Sequence, residues 1–257
     1  MNSPISLARR ASLSTAVALA VACLASVPLA AQTVVNPSRQ GSTGNDQAVL
    51  ESTFNTLRAA EARAELLNDQ NRQAENWQAA DRFASCATDM NENRVRELLD
   101  QAVEGKAGKR IELGDFVNRN QGCVVAVGGI DRDILRGALA ERVVATSNPE
   151  LPPPGNAESV MTFIKAVSVP RMDKDDPFIA GQLLAECRVG FAPVAARALI
   201  ATEAGSRAEA GALAAMKAVT PQCNSLDTAK TKLTPWFERA YAAQALYHWI
   251  GFDGARG

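Results

Sequence analysis

Residues 77–86 read WQAADRFASC and residues 178–187 read FIAGQLLAEC, and these two stretches decide the fold. Trp77, Phe83 and Ala84 stand before Cys86 at the distances at which Phe178, Leu184 and Ala185 stand before Cys187. The correspondence extends outward. Arg96, Leu98 and Leu99 match Arg197, Leu199 and Ile200. Cys86 and Cys123 have 36 residues between them, and Cys187 and Cys223 have 35. Counting back from the second cysteine of each pair, Leu113 and Phe116 match Leu213 and Met216. Beyond it, residues 130–144 align with 233–247, setting Ile134 against Phe237 and Arg136 against Arg239. Neighbours that travel with a fixed spacing mark an internal duplication, here two tandem units of about 70 residues each.

Both units read as helices. In the second, Pro177 opens a helix through Cys187, and Pro193 opens another through Ala204, closed by Gly205. Ser206-Arg207-Ala208-Glu209 has the spacing of a capping box, so a third helix runs from it to Val219 before Pro221. Thr234-Pro235 starts the last helix, to about Ile250. The first unit has matching helices near Arg72–Cys86, Asn91–Glu104, Glu112–Asn118 and Asp131–Thr146. The predicted fold is all-α. Residues 47–146 hold the first unit and, over Ala48–Asn68, a further amphipathic helix with Leu50, Phe54, Leu57, Ala64 and Leu67 inward. Residues 147–156, with Pro149 and Pro152-Pro153-Pro154-Gly155, form an extended linker. The second unit spans residues 157–252, with Ala157–Val169 as helix rather than strand.

Ahead of the units, residues 1–31 read as a secretory signal peptide. Arg9 and Arg10 form its positive region, Leu13–Val27 its apolar core, and Leu29-Ala30-Ala31 the small-residue cleavage site. Cleavage is expected after Ala31, leaving a flexible tether over residues 32–46. The arginine pair resembles a twin-arginine signal, but Ser12 stands where that motif wants a large apolar residue, so ordinary export is favoured. Ala20-Val21-Ala22-Cys23 resembles a lipoprotein box, which would leave the protein lipid-anchored through Cys23. The apolar run after Cys23 argues against it. No segment beyond the signal approaches the roughly 20 apolar residues of a membrane span.

Four cysteines then remain, Cys86, Cys123, Cys187 and Cys223, and an even count in an exported chain reads as disulfides. The duplication favours Cys86–Cys123 with Cys187–Cys223, each unit closing on itself. Crossed pairing, Cys86–Cys187 with Cys123–Cys223, respects the same symmetry and stays open on the sequence alone. No C-x-x-C occurs, so zinc-ribbon and thioredoxin-like signatures are both missing.

The first unit ends in Arg136-Gly137-Ala138-Leu139-Ala140-Glu141. With its cysteine bracket it resembles a group of exported bacterial proteins built from duplicated helical units, a group with no established activity. The resemblance covers Trp77 to Trp249 and implies architecture and export only. The second unit departs from it at Arg239-Ala240-Tyr241-Ala242-Ala243-Gln244.

Composition and motifs exclude more chemistry than they suggest. The 257 residues are 47% hydrophobic and 21% charged, enough to bury a core. Lys and Arg number 27 against 28 Asp and Glu, and loss of Arg9 and Arg10 with the signal leaves 25 against 28, or −3. Such a balance offers no basic field for nucleic acid. His248, the single histidine, leaves no His-based metal site and no imidazole beyond itself for a nucleophile. It lies near a helix C-terminus, where a cation complements the macrodipole, and reads as structural. Val124-Val125-Ala126-Val127-Gly128-Gly129 resembles a strand entering a phosphate-binding turn but lacks the Lys-Ser/Thr that completes one. Paired carboxylates, Glu112 with Asp115, Asp131 with Asp133, and Asp173 with Asp175 and Asp176, read as caps or solvated charge rather than catalytic pairs.

Two features carry binding expectations. Trp236, Phe237, Tyr241, Tyr247, Trp249 and Phe252 crowd the last twenty-two residues. Phe237 and Tyr241 are expected in the core, and Tyr247, Trp249 and Phe252 as an exposed docking face. Arg136 and Arg239, at equivalent positions, read as helix-to-helix ion pairs within each unit or as a symmetric site for an acidic ligand. The expected protein is therefore exported to the periplasm or beyond and has a non-catalytic binding or structural role, with a protein or an envelope glycan as partner. No cofactor, metal or catalytic residue is assigned. The competing reading is an envelope hydrolase using paired carboxylates.

Overall fold

A capping asparagine, several prolines and a set of small residues place the helices. The computed structural model describes residues 70–100, 113–124, 130–167, 177–227 and 233–255. The predicted signal, tether and helix over Ala48–Asn68 lie outside these residues, as do Val125–Gly129, Glu112 and Asp173–Asp176. Among the described residues there are eight α-helices and no strand. These are α1 (Gln70–Asp100), α2 (Leu113–Arg119), α3 (Arg132–Ser147), α4 (Ala157–Val167), α5 (Pro177–Phe191), α6 (Pro193–Ile200), α7 (Arg207–Val219) and α8 (Pro235–Gly251). Short 3-10 turns at Gln121–Cys123 and Pro221–Leu226 carry the second cysteine of each pair. A third turn, Asp253–Ala255, comes after α8.

Both bridges close locally, Cys86–Cys123 and Cys187–Cys223, so the crossed pairing does not form. They fit an oxidising extracellular or periplasmic compartment. Among the described residues, no helix is long and apolar enough to cross a membrane.

The predicted boundaries shift in two places. The first helix, expected to end at Cys86, runs on to Met90, and the second starts at Asn91 as expected: non-helical backbone there (φ −160°, ψ 78°) divides α1 into two segments. In the second half, α5 runs past Cys187 to Phe191, and α6 stops at Ile200 instead of Ala204. Capping matches the sequence closely. Asp131 Oδ1 accepts from the backbone N–H of Asp133 at 2.8 Å and of Ile134 at 3.2 Å, opening α3. Ser206 Oγ accepts from Glu209 N–H at 3.1 Å, while Glu209 Oε2 accepts from Gly205 N–H at 2.7 Å, one residue earlier than an ideal capping box.

The core is organised around α3 and α8, which pack on each other; α1 covers α3, and α5 and α6 cover α8. At their crossing the axes come unusually close. A Cβ on Gly137 would stand 2.4 Å from Ala240 Cα, so glycine is what lets the backbones meet. Residues 148–156 contain no helix, as expected, and this strap docks on α5 through Gly155 N–H, which donates to Gly190 carbonyl O at 2.8 Å. Next in the chain, α4 packs on α5 with Val160, Phe163, Ile164 and Val167 buried.

Candidate functional site

The C-terminal end of α8 is where side chains from distant parts of the chain meet around open space. A cleft of about 540 Å³ lies there. Val143, Val144, Val167, Ile250 and Phe252 supply apolar wall; Arg96, Asp100, Ser147, Tyr247 and His248 supply polar groups. α1 contributes Arg96 and Asp100, α3 contributes Val143 to Ser147, α4 ends in Val167, and α8 brings Tyr247 and His248.

Each polar group whose bonds are defined already has a protein partner. Tyr247 donates its hydroxyl to Asp100 Oδ1 at 2.7 Å. Burial, then this carboxylate, pushes the phenol pKa upward, so Tyr247 stays protonated. Arg96 donates from Nε to Glu92 Oε1 at 2.8 Å and from Nη2 at 2.5 Å. Ser147 Oγ donates to Val143 carbonyl O at 2.7 Å. His248 Nε2 lies 3.4 Å from Leu99 carbonyl O, an acceptor only, so the proton sits on Nε2. Loss of hydration pushes the His248 pKa down to about 4; the Leu99 carbonyl opposes this and the Arg136 charge adds to it. The ring is therefore neutral near pH 7. This corrects the expectation of a cation complementing the α8 dipole: dehydration outweighs a dipole effect of about 1 kcal/mol.

The proposed docking face divides. Tyr247 and Phe252 are half-buried and line the cleft. Trp249 is not exposed at all, at 0%. Its ring stands edge-on to Phe163 at 5.0 Å and beneath the Gly155 strap, where a glycine Cβ would lie 2.7 Å from its Cη2. The strap and α4 cover it, and neither announces itself as a lid in the sequence. Phe237 and Tyr241 are buried, as expected. Tyr241 donates to Asp133 Oδ2 at 2.7 Å, so the Asp131–Asp133 pair is a helix cap and a cross-helix acceptor.

Arg239 and Arg136 also divide. Arg239 is 1% exposed. It grips Glu141 of the first half in a two-pronged pair, Nε to Oε2 at 2.8 Å and Nη2 to Oε1 at 2.7 Å. Its Nη1 reaches Glu209 Oε1 at 3.0 Å, and further bonds run to the carbonyls of Leu199, Ile200 and Thr202. The Trp77 ring lies 5.4 Å away. The ion pair thus spans the two halves as well as closing within the second. Two carboxylates share one buried guanidinium. Dehydration accordingly lifts the Glu141 pKa above the usual carboxylate range against the pull of Arg239. Arg239 in turn is held charged because the bonds to Glu141 and Glu209 outweigh its own dehydration. Arg136 is half-buried.

Sequence reasoning missed Arg96 and Asp100 as cleft residues, and nothing local could have found them. They sit on one turn of α1 as ordinary exposed-face charges, and only the end of α8 gives them a role. Comparison with protein families, characterised proteins and solved structures finds no match for this chain.

Proposed function

We propose that this is an exported envelope protein with a non-catalytic role, binding a ligand through the cleft at the end of α8. The single observation that carries the binding reading is the engagement of the cleft's polar groups by protein partners. Tyr247, His248 and Ser147 each already donate to a protein acceptor. A histidine with a pKa of about 4 is a weak general base near neutrality. The remaining surface, Phe252, Ile250, Val167 and the Tyr247 ring, suits a ligand that offers apolar area. Export is supported by the leader-like residues 1–31 and by the two bridges.

Two measurements test it. Intact mass of periplasmic material should correspond to a chain starting at Gln32; acylation at Cys23 would replace the unanchored reading with a lipid-anchored one. An anilinonaphthalene sulfonate probe should bind with enhanced fluorescence and lose about tenfold in affinity in Phe252→Ala, a change of about 1.4 kcal/mol. Unchanged probe binding in Phe252→Ala and Tyr247→Ala together would remove the cleft from the account.

A further inference from the structure

Met90 stays in water where a core residue would not. Its side chain is 65% exposed, yet its Sδ sits 3.5 Å from Cys123 Sγ. One exposed methionine needs no explanation by itself; what matters is that its thioether meets the bridge sulfur from the solvent side.

We propose that Met90, Cys86 and Cys123 form a three-sulfur site for a soft monovalent cation, Cu(I) or Ag(I), when the first bridge is reduced. Thiolate and thioether together select such ions over harder ones. A three-coordinate ion with metal–sulfur bonds of about 2.3 Å sets sulfur–sulfur edges of about 4 Å, close to the Met90–Cys123 separation. The Cys86 and Cys123 Cα atoms are 5.5 Å apart, so both sulfurs reach one ion without moving the backbone. Cys86 is half-buried and gives a reductant access, while Cys123 at 1% exposed closes the inner side.

The second bridge differs in its outer cysteine and in the residue four places on. Cys187 and Cys223 are 6% and 0% exposed. The position matching Met90, four residues after the first cysteine, is Phe191. The site belongs to the first half alone and is independent of the α8 cleft.

The chemistry balances through an external dithiol. The dithiol gives two electrons and two protons to the Cys86–Cys123 bond and becomes a disulfide itself. The cation then displaces both protons, leaving two thiolates and a neutral thioether on one positive charge.

Limiting dithiol, then alkylation and mass mapping, should label Cys86 and Cys123 before Cys187 and Cys223. Titration of that material with Cu(I), against the chelator bathocuproine disulfonate, should give one ion per chain. Met90→Leu, harmless to folding at so exposed a position, should weaken binding tenfold or more. Met161→Leu, at a comparably exposed position of α4, should not. X-ray absorption should count three sulfur ligands in the wild type and two in Met90→Leu. Equal affinity in Met90→Leu, earlier opening of Cys187–Cys223, or loss of helical circular dichroism on selective reduction would each overturn the site.

Discussion

The two halves break their first helix at the same place by different means. Asn91 lies five residues after Cys86, and Ala192 lies five after Cys187. Asn91 has φ −160° and ψ 78°; Ala192 has φ −140° and ψ 61°. In the first half the asparagine caps the second segment of α1, its Oδ1 accepting from Arg94 N–H at 3.1 Å. In the second, no side chain caps; Pro193 takes the first helical position, with φ preset and no N–H to satisfy. The bend therefore belongs to the architecture and not to the residue that makes it. It is needed because the next turns must carry Leu98 and Leu99, or Leu199 and Ile200, into the core.

Equivalent arginines show the opposite lesson, one position with two fates. Arg239 is sealed between Glu141 and Glu209, whereas Arg136 remains half-buried. The counterpart of Glu141 in the second half is Gln244, so the two-carboxylate clamp on Arg239 is not a repeated feature of the sequence. Removing a sealed cation strands two carboxylates. Arg239→Met should cost about 5 kcal/mol in urea unfolding, and Arg136→Met about 1 kcal/mol or less. Similar losses at both positions would erase the contrast.

Next in size are the aromatic truncations. Trp249→Ala and Phe237→Ala should each cost about 4 kcal/mol, because both rings are at 0% exposure. Tyr247→Ala, on the cleft wall, should cost clearly less. A Trp249→Ala melt close to that of the wild type would restore the docking face read from the sequence.

That misreading of Trp249 marks the limit of legibility. Helix starts and the core residues Phe237 and Tyr241 were readable, because caps, prolines and a four-residue interval act within one element; the local bridges were favoured by the duplication, with the crossed pairing left open. Trp249 was not, because α8 is buried nearly all round: Phe237, Ala240, Tyr241, Ala242, Ala243, Ala245, Leu246 and Trp249 are all inside. A helix without a wet face gives no stripe to read. The alanines were the available signal, since small side chains let several helices crowd one axis. The cleft was equally silent, since Asp100, Val143, Val167 and Tyr247 share no period and meet only in three dimensions.

The close approach of α3 and α8 offers a third test. Gly137 and Ala240 occupy equivalent positions, and they face each other where α3 crosses α8. Gly137→Ala should cost about 2–3 kcal/mol, since the new methyl meets backbone that cannot rotate away. Gly114→Ala, with open space around it, should be neutral or slightly stabilising. Equal effects would show that the halves can separate to admit a methyl group.

A pH series tests the cleft end of the same helix. His248 has its pKa lowered to about 4, so the unfolded chain binds a proton near pH 6.5 that the folded one refuses. Stability should fall as pH drops through 6.5 and level off near 4, by about 1–2 kcal/mol for a ring that water still partly reaches. Glu141 works the other way, its raised pKa letting the folded protein take up a proton first. The difference between wild type and His248→Gln isolates the histidine. That difference should grow in favour of the variant from pH 7 to pH 4.5, and a flat one would mean the ring is as hydrated as in the unfolded chain.

The smallest effect returns to the paired bends. Asn91→Ala removes the acceptor for Arg94 N–H at an exposed site, so about 1 kcal/mol should be lost. Pro193→Ala frees φ in the unfolded chain and adds one N–H with no acceptor inside the helix, a loss of about 0.5–1 kcal/mol. If packing dictates the bend, neither substitution should straighten the helix, and the two costs should add in the double variant because the sites lie in different halves. Hydrogen exchange gives the finer reading. In Asn91→Ala, protection should drop at the first amides after the bend and persist at Val95 and beyond, where the side chains are buried. Protection lost all the way to Leu99 would mean that the asparagine, and not the core beneath it, holds the second segment of α1 in place.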